Sequence, residues 1–127
     1  MTTNERAEKA VEYKRSCNCC QAVMRAYADS VNVSEDMLIQ MGAGFGSGMG
    51  CMEATCGALV GAGYIAGLKT EGQMTTRVTK QVLAKFKEKC GATICCDLKG
   101  IKTGKVLCSC DDCVKNAVLS LEEVITA

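Results

Sequence analysis

The sequence predicts an all-α fold, a compact single-domain bundle of about five to six helices, on three observations. No proline occurs in the 127 residues, so nothing removes a backbone donor or forces a kink inside a helix. Apolar residues recur at helical spacing in several windows, while strand-type alternation is hard to find. The length is that of one domain, and 48% of the residues are hydrophobic, so residues 1–127 can build a core without disulfide staples.

The elements follow in chain order. From Cys20, the stripe Val23, Met24, Tyr27 and Val31 predicts an amphipathic helix ending near Asn32. Ser34 has the side chain of an N-cap, and Glu35 and Asp36 suit the positive end of a short helix carrying Met37, Leu38 and Met41. Met24, Met37 and Met41 are expected on core faces, filling gaps rather than binding copper. Residues 42–50, GAGFGSGMG, hold five glycines in nine positions and predict a loop. That loop lacks the GK[ST] ending of a phosphate-binding P-loop.

A central helix is expected from about Cys51 to Leu68, with Cys56, Leu59, Val60, Gly63 and Gly67 on one face. Gly57, Gly61, Gly63 and Gly67 let neighbouring helices come close, within one chain or across the two-fold axis of a homodimer. The uncharged run Ala54 to Leu68 has only 15 residues. A bilayer span needs about 20, so a buried central helix is expected and stable membrane insertion is not. Val78, Val82, Leu83 and Phe86 form the stripe of the next helix, closed by Cys90 and Gly91. From Ala92 to Cys110, glycines and lysines predict a short helix and then a solvated turn. Lys99, Lys102 and Lys105 belong to that turn, with docking of an acidic partner as the alternative. The last helix is expected from about Asp111 to Ile125, with Val114, Ala117, Val118, Leu121 and Val124 facing the core.

Fifteen Lys and Arg stand against 14 Asp and Glu, with three Tyr, two Phe and no Trp. That balance offers neither the charge footprint nor the stacking platforms of a nucleic-acid binder. Histidine is absent and no carboxylate pair stands out, so acid–base enzymology has little support.

Eleven cysteines dominate what is left. In a short secreted chain that share signals a disulfide scaffold, but the odd count and the charged start MTTNERAEKA, without an apolar segment, point to the cytoplasm instead. There thiols stay reduced unless they bind metal or cycle in catalysis. Metal or electron chemistry must therefore run through sulfur. The cysteines fall into five groups: Cys17, Cys19 and Cys20; Cys51 and Cys56; Cys90; Cys95 and Cys96; Cys108, Cys110 and Cys113. Each group lies near an expected helix end or the glycine loop, and a helix start favours thiolates and cluster sulfurs. CDDC at 110–113 and CNCC at 17–20 have the spacing of both oxidoreductases and metal sites. The two aspartates of CDDC are expected to raise the thiol pKa values, which opposes a reactive dithiol. Cys20 and Cys90 read best as small buried hydrophobes.

Read together, NCCQAV at 18–23, GAGFGSGMG, CGALVG at 56–61, GATICCDLKG and CDDCVKNA resemble the C_GCAxxG_C_C family of redox-active proteins, over about residues 17–118. The resemblance implies a working set of Cys19, Cys56, Cys95 and Cys110. Four thiolates from separate segments are the complement of an iron–sulfur cluster or of a closed zinc site. The family also resembles part of the split-Soret cytochromes, which favours iron–sulfur. The haem part has no counterpart here, since there is no CxxCH.

Three functions are compatible with that set. The leading one is an iron–sulfur cluster on Cys19, Cys56, Cys95 and Cys110 for electron transfer or redox sensing, with a redox partner protein. The second is thiol–disulfide exchange, with Cys56 and Cys110 as catalytic thiols and Cys51 or Cys113 resolving. The third is structural zinc on the same four cysteines, ranked lower because zinc favours closely spaced ligand pairs.

Overall fold

A computed structural model describes residues 1–126. It contains seven α-helices: α1 (Thr3–Tyr13), α2 (Cys19–Arg25), α3 (Glu35–Gly42), α4 (Gly57–Lys69), α5 (Thr75–Cys90), α6 (Cys95–Lys99) and α7 (Cys110–Ile125). Among the described residues, β-type pairing is limited to one isolated antiparallel bridge, Thr55 to Ile94. Among the described residues, no helix is long and apolar enough to cross a membrane.

The bundle is arranged around α4, which packs on α2, α5 and α7, while α1 covers α7 and α2. Val23, Met24 and Tyr27 meet Leu59 and Ile65 of α4, Val82 and Phe86 of α5, and Val114, Val118 and Leu121 of α7 in one core cluster. Close approach of α2 and α4 depends on Gly61, where a Cβ would lie 2.8 Å from the Cys20 carbonyl oxygen. Only glycine lets the two backbones meet at that point.

Two caps are those the sequence announces. The Ser34 hydroxyl accepts from the Met37 N–H at 3.2 Å. Gly91, at φ 90°, ends α5 with its N–H donating to the Lys87 carbonyl.

Other elements depart from expectation for identifiable reasons. Helix α1 is additional, begun by a capping box in which the Thr2 and Glu5 side chains satisfy each other's backbone N–H groups. Helix α2 stops at Arg25 rather than near Asn32. The buried Arg6 guanidinium takes the Ala26 carbonyl at 2.6 Å and Asp29 at 2.7 Å, and three-residue turns replace the helix up to Ser30. Helix α4 starts at Gly57 rather than Cys51, because Met49, Gly50 and Met52 all have positive φ and Thr55 pairs with Ile94. Its buried face is Ala58, Leu59, Ala62, Ile65 and Ala66, whereas Val60, Gly63 and Gly67 are half-exposed. Met37 and Leu83 are exposed, and Val124 is only half-buried.

Candidate metal and thiol site

Cys19 is the first residue of α2, Cys56 the N-cap of α4, Cys95 the first residue of α6 and Cys110 the first residue of α7. All four line one cavity of about 210 Å³, together with Cys113, Lys14 and Lys99. The sequence spreads them over some 90 positions, and the bundle gathers them at one end.

Local structure fixes each position. Asn18 caps α2, accepting the Gln21 N–H at 2.8 Å while Gln21 accepts the Asn18 N–H at 3.0 Å, which sets Cys19 at the cavity wall. Ser109 caps α7 through the Asp112 N–H at 3.1 Å, just ahead of Cys110. The segment before α4 is tied to the segment before α6 by two backbone bonds, Cys56 N–H to the Thr93 carbonyl at 2.8 Å and Cys95 N–H to the Ala54 carbonyl at 3.0 Å. Cys56 and Cys95 are thereby held side by side and buried. The glycine after Cys56 has a direct role: a Cβ on Gly57 would lie 2.6 Å from Cys19 Sγ and collide with the Phe45 carbonyl.

Cys56 is the electrostatic focus. Hydrogen bonding from the Cys113 and Cys19 thiols pulls its pKa down to about 3 against the effect of burial, with help from the amides of Ala58 and Leu59. The positive end of a 13-residue helix also favours an anion there. The neighbours shift the other way: Cys19 is raised by its bond to Cys56 and by burial, and Cys113 by its bonds to Cys56 and Cys90. Cys95 is raised by burial. Lys99 ends α6 and turns inward, with Nζ 3.7 Å from Cys113 Sγ, rather than standing in the solvated turn expected for it. Burial works against its charge, but the sulfurs of Cys113 and Cys110 outweigh that and raise its pKa.

Cys113 also belongs to a second group. The sulfurs of Cys90, Cys108 and Cys113 all lie within 4.8 Å of one another, and all three residues are buried. Cys108 Sγ is 3.3 Å from Cys90 Sγ, and the Asn116 amide donates to Cys90 at 3.4 Å. Those bonds, with Cys113 first, lower Cys90 to about 6, while burial pushes Cys108 up to about 11. Expecting Cys90 to be a plain core residue captured its burial and missed its partners. The aspartates of CDDC are exposed, and Cys113 is raised by Cys56, Cys90 and burial rather than by them.

The remaining thiols have local roles. Cys20 is a core thiol, raised to about 12 by burial, with its sulfur 3.8 Å from Met24 Sδ. Cys17 donates to the Tyr13 carbonyl at 3.1 Å and accepts from Arg25 at 3.7 Å. Cys51 is exposed in the turn before α4, outside the cavity lining, and Cys96 lies beside Asp97 on α6.

An all-helical bundle that gathers cysteines from four helix starts around one cavity, beside a buried three-thiol cluster, is a thiol-centred module with ligands for metal. The chain belongs to the C_GCAxxG_C_C family, described as putative redox-active protein, whose model matches residues 17–124. No curated protein and no solved structure matches the chain.

Proposed function

We propose that the cavity holds an iron–sulfur cluster through Cys19, Cys56, Cys95 and Cys110, and that the protein transfers single electrons to or from a redox partner protein in the cytoplasm. The observation that carries this reading is the convergence of those four cysteines on one cavity. The donor set fits the group, being all sulfur and drawn from four elements. Buried thiolates need compensating charge. Here it is available from Lys14 and Lys99 at the cavity wall and from the helix starts of α4 and α7. A single zinc ion is less well served, because tetrahedral ligation at about 2.3 Å draws its sulfurs to within about 4 Å of one another. Among the described residues, the cysteine group whose sulfurs approach that spacing, within 4.8 Å of one another, is Cys90, Cys108 and Cys113.

When bound, the cluster supplies one-electron chemistry at a potential set by its surroundings. The chain supplies the rest. The lowered pKa of Cys56 favours ligation, Lys99 offsets negative charge, and burial of Cys56 and Cys95 limits water. Cys110 is exposed, which gives the cavity an edge that a partner can reach.

The test is anaerobic purification or reconstitution followed by visible absorption with iron and acid-labile sulfide analysis. Brown protein with both elements supports the reading, and colourless, iron-free protein after reconstitution ends it.

Thiol–disulfide exchange is the second reading, favoured by the lowered pKa of Cys56 and by its place on one cavity with Cys19 and Cys113. It predicts that thiol trapping with mass spectrometry finds a cysteine pair that changes state between oxidised and reduced protein.

A further inference from the structure

We propose that Cys90, Cys108 and Cys113 form a second metal site, adjoining the four-cysteine cavity at Cys113, that takes a single monovalent copper ion. The three sulfurs come from the last residue of α5, from the loop before α7 and from the first turn of α7, so the packing of α5 on α7 assembles the site. They already lie within 4.8 Å of one another. An ion ligated in a plane at about 2.3 Å draws three sulfurs to roughly 4 Å apart, so little movement is needed.

The donor set selects the ion. Three thiolates with no imidazole or carboxylate among them are soft ligands, which choose between copper(I) and zinc among common ions. Zinc almost always takes four ligands. Among the described residues, no fourth thiol or acidic group joins the three within that radius. Copper(I) accepts three sulfurs in a plane, and the exposures of 3%, 6% and 0% for Cys90, Cys108 and Cys113 protect it from water and oxidant. On binding, the thiol protons pass to solvent and the ion takes their place.

Groups around the sulfurs suit an anionic complex. The Asn116 side-chain amide approaches Cys90 at 3.4 Å and Cys108 at 3.9 Å, and Lys99 Nζ stands 3.7 Å from Cys113. Donors to ligating atoms orient them, and their loss costs about 10–100-fold in metal affinity. Asn116 is therefore a positioning residue of this site.

The experiment uses the full-length, reduced, metal-free chain under nitrogen, titrated with copper(I) against a coloured copper(I) chelator. One tightly held equivalent is expected, with X-ray absorption giving three sulfur neighbours. Cys108→Ser, in a loop, should weaken binding by more than the loss seen in Asn116→Ala, itself about 10–100-fold. The double variant Cys19→Ser with Cys95→Ser should leave copper in place. Circular dichroism confirms that each variant is folded, and Asn116→Ala, which removes no sulfur, still tests the site if Cys108→Ser does not fold. Copper that ignores Cys108→Ser and Asn116→Ala, copper lost with Cys19 and Cys95, a four-sulfur shell, or preferential retention of zinc each overturns the proposal. Iron after anaerobic reconstitution reports separately on the four-cysteine cavity and should survive Cys108→Ser.

Discussion

Around the cavity, Cys19, Cys56, Cys95 and Cys110 come from four elements, and each stands at the start of a helix. In the buried trio, Cys90 closes α5, Cys108 ends a loop and Cys113 lies in the first turn of α7. The first group has amides, two lysines and an exposed edge at Cys110. The second is buried, with Asn116 and Lys99 as its polar neighbours, and adjoins the cavity at Cys113. An exposed edge suits exchange of electrons with another protein, whereas enclosure suits retention of an ion. Under the two proposals, two groups of one ligand type in one small bundle differ in chemistry through access and surrounding dipoles.

The strongest way to break this division is to remove the thiol at its electrostatic focus. Cys56→Ser should lower iron retained after reconstitution at least about tenfold and weaken copper, through its contact with Cys113, by less. Loss of both metals together would show one shared centre. Next in size, Asn116→Ala should weaken copper and leave iron content unchanged, as read by metal analysis of the two loaded forms.

Gly57→Ala tests the geometry of the first group without touching a sulfur. The added methyl would crowd Cys19 Sγ and the Phe45 carbonyl, and overpacking of this kind costs about 1–3 kcal/mol. A melting temperature lowered by several degrees, together with slower iron incorporation, is expected. An unchanged melt would mean that the cavity wall yields.

The smallest effect lies far from both groups, at the ion pair of Arg6 and Asp29. Hydrogen bonding to Arg6 holds the Asp29 carboxyl below its usual range. A depressed carboxylate contributes stability that is present above its unfolded value of about 3.9 and is lost as pH falls through the lower folded value. Asp29→Asn should therefore lower urea stability slightly at about pH 7 and leave it unchanged below about pH 2. Asp29 is largely exposed, so solvent screening keeps the contribution small. An equal loss at both pH values would point to packing instead.

The fold was legible wherever a local signal marks an element. Ser34 with Glu35 and Asp36, the stripe through Val82 and Phe86, and Cys90–Gly91 each encode a start, a face or a stop within a few residues. Thr2 and Glu5 carry an equally local signal for α1, obscured by the charge of the segment around them. The start of α4 was not legible, because apolar composition runs smoothly through it. The chain breaks there through left-handed backbone at Met49 and Met52, residues with no preference for it. At the site, the family motif picked out four cysteines that the fold brings to one cavity. The trio had no such signal: Cys90 is 18 residues from Cys108, and only the packing of α5 on α7 brings them together.

The tie between the backbones ahead of α4 and α6, with the other two cysteines opening α2 and α7, has a consequence for the free-energy balance of the whole chain. A group gripped by all four residues binds the assembled bundle and has no equivalent site in the unfolded chain, so every molecule bound withdraws the folded state from the unfolding equilibrium. At a free concentration about 100 times its dissociation constant, such a group adds roughly 2.7 kcal/mol. Against the about 5–15 kcal/mol typical of a domain, that is a large share. The persistence of the protein in a cell would then serve as a gauge of how well that cell is supplied with the group.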